Sequence, residues 1–193
     1  MTTKEKISAT ASRLFHEKGF SATSVREIAG SVGIEAASLY NHINSKTDLL
    51  DHICFDTAHR FESHLDEVEK GGGSPIDMIK AILNFHIDMA IHDPKVLTVF
   101  SQEWRHLPVT RRMEFQKQRK SYEMRLNKIV ETGQENGQLD RDLDAEILVK
   151  MLISSIQWVY FLKPETALAH EKRLRRTVEL FIENSVNKLT GVS

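Results

Sequence analysis

Nine histidines, one cysteine and 27 acidic residues are the side chains from which a metal site or an acid–base centre would have to be built. His52 and His59 fall two helical turns apart on one side of a helix, and Asp56 lies one turn after His52. His64 diverges from them, and His86 and His92 come later in the chain. A helical zinc hydrolase requires His-Glu-x-x-His, with the glutamate as base, and that pattern is absent. There is no glycine-rich phosphate loop and no nucleophile elbow. Cys54, standing alone, excludes an internal disulfide and a cysteine-cluster zinc site. Ion pairing on a solvated face is the plainer reading of His52 and Asp56. The chain is therefore expected not to be an enzyme and to hold no metal or cofactor. A metal-dependent enzyme and a helical adaptor without nucleic-acid binding are the competing readings.

A different kind of chemistry is carried by Ser24 to His42. Ser24-x-x-Glu27 predicts a capping box, with the serine oxygen on the Glu27 N–H and the glutamate reaching back. Val25, Ile28 and Ala29 give the capped helix one inward face. Gly33 follows where a residue of positive φ is expected, a conformation that glycine takes at no steric cost. Ile34 returns to the core, and Ala36-Ala37-Ser38 keeps the next helix slim on its outer side. Such a helix fits a DNA major groove roughly 12 Å wide. The pattern is a helix-turn-helix.

The surrounding chain must position that motif. Ile7, Ala11, Leu14 and Phe15 give a helix over 4–18 one apolar stripe, and Gly19 ends it. Ser45 and Asp48 start a connecting helix of about 46–70, which Gly71-Gly72-Gly73 stops. Ser74-Pro75 and Asp93-Pro94 are start signals for two more helices, the second running through Trp104 to the Leu107-Pro108 break. A charged helix follows from about Thr110 to Gln134, with Met113, Tyr122, Leu126, Ile129 and Val130 facing in. Gly133-x-x-x-Gly137 is expected to unwind it. Asp142 or Asp144 then caps an apolar helix running from Ile147 to Leu162, and a last helix spans about Thr166 to Leu189. The expected fold is all-α with about nine helices. Residues 1–48 form the helix-turn-helix domain and 49–193 a helical domain for ligand binding and dimerisation.

Charge and hydropathy narrow the setting. Of 193 residues, 40% are hydrophobic and 27% charged, an ordinary composition for a soluble protein. No apolar run approaches the roughly 18 residues of a membrane span, and the N-terminus lacks a secretory h-region, so the cytoplasm is expected. A net charge of −1 excludes indiscriminate nucleic-acid binding through bulk charge. In residues 1–50, six cations face five anions. DNA affinity must then come from placed contacts and two-fold symmetry.

Residues 7–50 resemble the DNA-binding unit of TetR-type transcriptional regulators. The matches are Ala11-x-x-Leu14-Phe15-x-x-x-Gly19-Phe20, Thr23-Ser24-Val25-x-Glu27-Ile28-Ala29, Val32-Gly33, Ser38-Leu39-Tyr40-x-His42-Ile43 and Lys46-x-x-Leu49-Leu50. The resemblance implies a homodimer that reads two half-sites of a palindromic double-stranded DNA operator and whose DNA binding is changed by a small-molecule effector. Carried over by position, Tyr40, His42 and Lys46 would contact the DNA backbone. Ser24 and Arg26 would reach phosphate or base edges, and Ala36, Ala37 and Ser38 would face the bases. Family members often carry lysine and glycine where this chain has Ala36 and Ala37, so its sequence preference should be decided there. The plain alternatives are a core aromatic for Tyr40, a solvated His42 and an ion pair for Arg26.

The helical domain offers Phe85, Met89, Phe100, Trp104 and Trp158 as the lining of an apolar cavity, with Arg119 and Tyr122 as polar groups within it. Segments 102–108 and 119–123 are similar to those of TetR-type regulators that respond to acyl-CoA thioesters. That likeness implies an acyl-CoA or fatty-acyl inducer, with the basic run Arg111, Arg112, Lys117, Arg119 and Lys120 neutralising its phosphates. A plain core and a solvated helix face explain the same residues. Ile156, Val159 and Tyr160 with Arg175, Val178, Ile182 and Ser185 are the expected dimer face. Closing the protomer's own core is the alternative for these stripes.

Overall fold

The computed structural model describes residues 2–187, without the side chains of Pro164 and residues 184–187. The side chain of Ser185 of the expected dimer face, and Leu189 at the end of the expected last helix, lie outside what is described. Among the described residues all regular structure is helical: α1 (Thr3–Lys18), α2 (Val25–Val32), α3 (Ala36–Leu39), α4 (Lys46–Gly71), α5 (Pro75–His92), α6 (Pro94–Gln102), α7 (Val109–Glu135), α8 (Ala145–Gln157) and α9 (Pro164–Asn187). Two 3₁₀ turns, Glu103–His106 and Trp158–Phe161, follow α6 and α8.

The helix starts follow from their caps. Ser74 Oγ accepts the Asp77 N–H at 3.2 Å, with Pro75 in the first turn. Asp144 Oδ1 accepts the Ile147 N–H at 2.9 Å, which decides between the two candidate aspartates. Ser24 Oγ accepts the Glu27 N–H at 3.1 Å, but the return half of that capping box is replaced by an ion pair of Glu27 with Lys18. The lysine holds the Glu27 carboxyl below its usual range.

Several expectations are corrected. Helix α7 runs unbroken through Gly133 to Glu135, one residue past the expected end at Gln134. A Cβ at Gly133 would stand 2.9 Å from Leu139 Cδ1 and 3.2 Å from Pro75 Cβ, so the glycine permits close packing. The turn itself falls on Gly137, with φ of 70°. Trp104 lies in a 3₁₀ turn rather than in α6, and the apolar helix ends at Gln157. Met113 is exposed, whereas Phe115, two residues on, is fully buried.

The chain divides into two compact units. The first comprises Met1–Arg60 and Lys95–Gln118. Its core joins Ile7, Leu14 and Phe15 of α1, Ile28 of α2, Leu39 of α3, and Leu50 and Cys54 of α4 to Val99, Leu107 and Phe115. Phe100 packs edge-on to Phe115 at 5.3 Å, and Phe55 does so at 5.7 Å. Arg111 forms a two-bond fork on Asp51 (2.6 and 2.8 Å) with its guanidinium 3.8 Å over the Phe55 ring.

The second unit comprises Phe61–Pro94 and Arg119–Ser193, where α5 packs on α8 and α9. Ile79, Leu83 and Ile87 of α5, Leu126 and Val130 of α7, Val149 and Ile156 of α8, and Ile182 of α9 are buried. Arg175 of α9 reaches the Asn84 side chain at 3.0 Å, Glu171 at 2.9 Å and Asp88 of α5. A polar pair lies within this apolar interior: His86 Nε2 and Tyr122 Oη are hydrogen-bonded at 3.0 Å. Phe61 stacks on the His86 ring at 4.5 Å.

Burial, reinforced by nearby His64, pushes His86 down to about 4. The folded chain keeps this imidazole neutral in a pH range where the unfolded chain, with an ordinary histidine near 6.5, takes up a proton. Stability from this group is therefore present at neutral pH and lost as pH falls from about 6.5 towards about 4, by on the order of 3 kcal/mol in total. Urea denaturation at stepped pH should show that slope, and His86→Gln should flatten it; an unchanged slope in the variant would refute the assignment.

Candidate nucleic-acid interface

Gly33 sets the angle of the helix-turn-helix. It ends α2 in the left-handed region (φ 83°, ψ 29°). Its N–H reaches the carbonyls of Ala29 and Gly30 at 3.0 and 3.2 Å, and the Ile34 N–H also returns to Ala29. The chain thus folds back over the end of α2 and starts α3 without a loop. α3 is a single turn of four residues, anchored by the fully buried Leu39. With that side chain fixed inward, Ala37 and Ser38 are exposed, Tyr40 is 56% exposed, and His42 is exposed just beyond. Ala36 is half-buried against the core, so it contributes less outer surface than Ala37.

Ser24 and Arg26 present themselves at the start of α2. Both are exposed, and Arg26 makes no ion pair among the described residues, which disfavours its intrahelical alternative. Ser24 is already engaged as the cap of α2.

Lys46 stands differently from the rest of this set. Its ammonium donates to the carbonyls of Phe20 and Thr23, both at 2.7 Å, and lies 4.4 Å from the centre of the Phe20 ring. The Thr23 hydroxyl in turn donates to the Gly19 carbonyl at 2.9 Å. The Phe20 N–H reaches Glu103 Oε2 at 3.3 Å, and His106 stacks on the Phe20 ring at 5.3 Å. The α1–α2 connection is thereby tied from two sides, by α4 and by the turn after α6. The sequence gives no helical-pattern signal for Glu103 or His106, because the bond to Phe20 joins residues far apart in the chain.

The expected effector residues fall in both units. Phe100 and Trp104 surround Phe115 in the first unit, the Trp104 ring at 5.9 Å. In the second unit, Met89 is buried, and Phe85 is half-buried with its ring 4.2 Å from His64 and 5.6 Å from Phe61. Tyr122 bonds His86, while Trp158 is 47% exposed. Burial holds the Tyr122 phenol above its ordinary range and pushes Tyr160 up to about 12, against a smaller lowering from Arg119. Of the basic run, Arg111 is committed to Asp51 and Glu114, and Arg112 donates to the Arg105 carbonyl at 3.2 Å. Lys117 and Lys120 are exposed.

The expected dimer residues are distributed unevenly. Ile156, Val159, Tyr160 and Ile182 are buried within the protomer, Val178 is half-buried, and Arg175 is held by Asp88 and Glu171. Exposed apolar side chains of the same segments include Ile147 (58%), Met151 (59%), Trp158 and Phe161 (60%), and on α9 Leu168 and Phe181. Positions 147, 151, 154 and 158 recur at helical spacing, so Ile147, Met151 and Trp158 form one stripe across the small Ser154. Periodicity found the apolar helix but did not tell its two faces apart.

Two family models match this chain: bacterial regulatory proteins of the tetR family over residues 7–53, and the tetracyclin repressor-like C-terminal domain over 72–161. The HTH-type transcriptional repressor KstR2 of Mycolicibacterium smegmatis is 24% identical over 157 residues, covering 81% of this chain and 76% of the relative. An uncharacterized HTH-type regulator of Bacillus subtilis, YerO, is 47% identical over 51 residues, 26% of this chain and 18% of its own. In structure, the ketosteroid transcriptional regulator KstR2 of Mycobacterium tuberculosis superposes with a TM-score of 0.84 at 20% identity, over 92% of this chain and 93% of that one. AibR in complex with isovaleryl coenzyme A and operator DNA gives 0.78 at 23% identity, over 91% and 97%. The helix-turn-helix geometry and both family matches agree, and the chain belongs to the TetR family of bacterial transcriptional regulators.

Proposed function

We propose that this regulator is a homodimeric repressor that binds a palindromic operator in the cytoplasm and is released from it by a small apolar or acyl-CoA-type effector. One observation carries the DNA-reading part: with Leu39 buried, the Gly33 turn leaves Ala37, Ser38, Tyr40 and His42 on one exposed surface. In this reading Ala37 and Ser38 face base edges, where the alanine methyl suits a thymine methyl. Tyr40, His42, Ser24 and Arg26 hold the backbone. Lys46 serves by fixing the α1–α2 connection rather than by reaching out to phosphate.

The exposed stripe of Ile147, Met151, Trp158 and Phe161 supports dimerisation, since contiguous exposed apolar side chains mark an interaction surface. A near-neutral DNA-binding segment needs two copies to gather enough contacts. The effector class is supported by the neighbour crystallised with isovaleryl coenzyme A and by the buried Met89, Tyr122 and His86. Lys117 and Lys120 remain exposed and available to an anionic group.

Replacing Tyr40 and His42 together by alanine should weaken binding to all operator variants by about tenfold or more, since each removes sequence-independent contacts. Ala37→Lys should instead change the ranking of sequences; fluorescence anisotropy on an operator library reads both, and wild-type behaviour in both variants would rule this surface out. Trp158→Glu should shift the sedimentation profile from dimer to monomer and reduce operator affinity with it, whereas a dimer of unchanged stability would place the interface elsewhere. Titration of the operator complex with a panel of acyl-CoA thioesters and free acids should release DNA with at least one of them, and retention of DNA throughout would remove this effector class.

A further inference from the structure

We propose that His86 and Tyr122 form the hydrogen-bonding head of the effector site, reading an uncharged carbonyl oxygen at one end of an apolar body. This rests on the effector-responsive reading above and specifies which chemistry the site selects.

The second unit contains a void of about 20 Å³ walled by Ile79, Ile82 and Leu83 of α5, Leu126, Ile129 and Val130 of α7, and Val149, Leu152 and Ile153 of α8. All these side chains are aliphatic, so nothing in the walls can satisfy a polar atom. A void of this size holds about one water, and walls of this kind keep it dry. An effector entering here must part α8 from α5 and α7, and the portion it inserts must be hydrocarbon.

His86 lies one helical turn beyond Ile82 on α5, and Tyr122 one turn before Leu126 on α7. The hydrogen-bonded pair is therefore the next layer of the same stack, at one end of the slot. From Ile79 to His86 the helix rises roughly 10 Å, which sets the reach of the apolar body beyond the oxygen. His86 is 5% exposed and lies flat against Phe61, so its ring cannot swing away to water. When His86 donates through Nε2 to Tyr122 Oη, the phenolic proton is left to point at an effector oxygen.

The pair is neutral on both sides. Burial disfavours the imidazolium of His86 and the phenolate of Tyr122. Charges acting on this layer come from Arg125, which is held by Asp66 and Glu69, from Arg119 through Tyr160, and from His64. A carboxylate facing the pair would lose its hydration against two uncharged groups, whereas a ketone or thioester carbonyl exchanges one hydrogen bond for another. The pair thus discriminates by charge as well as by shape.

Hexyl methyl ketone, octyl chloride and octanoate share a chain length and differ in the head. Calorimetric titration of the full-length protein should find the ketone bound most tightly. Tyr122→Phe keeps the ring and removes the hydroxyl; it should weaken the ketone about tenfold, leave octyl chloride unchanged and leave effector-free operator binding intact, with a lowered melting temperature because His86 loses its partner. A preference for octanoate, equal losses for ketone and chloride in the variant, or no heat from any of the three would each overturn the proposal. Intact operator binding alongside such a result would leave the regulator reading standing. Loss of operator specificity in the wild type, with ketone binding retained, would overturn that reading instead and keep the site.

Discussion

The helix-turn-helix depends on one cation that does not face outward. Lys46, the first residue of α4, donates to the carbonyls of Phe20 and Thr23 and covers the Phe20 ring. Those carbonyls belong to the irregular connection between α1 and α2, where no helical partner exists to satisfy them. Thr23, buried there, spends its hydroxyl on Gly19 and Leu14 carbonyls. Without the ammonium, the connection would keep unsatisfied acceptors next to a packed core, and the start of α2 would lose its fixed position. The exposed surface at Ala37 to His42 is only as well defined as α2, because α3 is a single turn held by Leu39 and by the Gly33 fold-back.

The same connection is held from a second direction. Glu103 accepts the Phe20 N–H, and His106 stacks on the Phe20 ring, so the 3₁₀ turn after α6 touches the residue that Lys46 covers. Arg111 adds a forked bond to Asp51 at the start of α4, and Phe115 fills the space beneath Phe55, Phe100 and Trp104. Residues 95–118 are thus part of the compact unit that holds the helix-turn-helix. The sequence segment 102–108, read by resemblance as pocket-forming, contributes a brace to the helix-turn-helix. A carboxylate bonded to a loop N–H and a guanidinium forked on a carboxylate have narrow geometry, so they fix position more sharply than apolar contacts do.

Much of this was legible in the chain itself. Ser24, Gly33 and Ser74-Pro75 announce helix ends through local chemistry, and the structure places each in that role. The apolar stripes at Ile7, Ala11, Leu14 and Phe15 and at Leu126, Ile129 and Val130 follow from helical spacing, and all are buried. What stayed hidden has a common cause. The backbone contact that the resemblance implies for Lys46 does not reveal its internal bonds, which run to residues more than twenty positions away, and Glu103 is unreadable for the same reason. Glycine signals both unwinding and close packing, and the Leu139 and Pro75 contacts that give Gly133 its packing role are tertiary. Ile156 belongs to the expected interface and Trp158 to the expected pocket, yet the first is buried within its own chain and the second stands exposed. A helix apolar on most of its circumference does not say which face meets its own chain.

The contrast between the two polar arrangements shows how the chain divides its tasks. Charged ties between elements occur in both units, as in Arg111 with Asp51 and Lys46 with loop carbonyls in the first, and Arg175 with Asp88 and Arg125 with Asp66 and Glu69 in the second. Such pairs have steep geometric preferences and fix the elements they join. In the second unit the buried pair, His86 and Tyr122, is uncharged and sits over aliphatic walls with a small void. Aliphatic contacts have no directional preference and tolerate rearrangement at modest cost. A neutral hydrogen bond is the weakest polar tie that still satisfies both partners. The interior best suited to yield to an entering molecule is therefore the one closed by neutral groups.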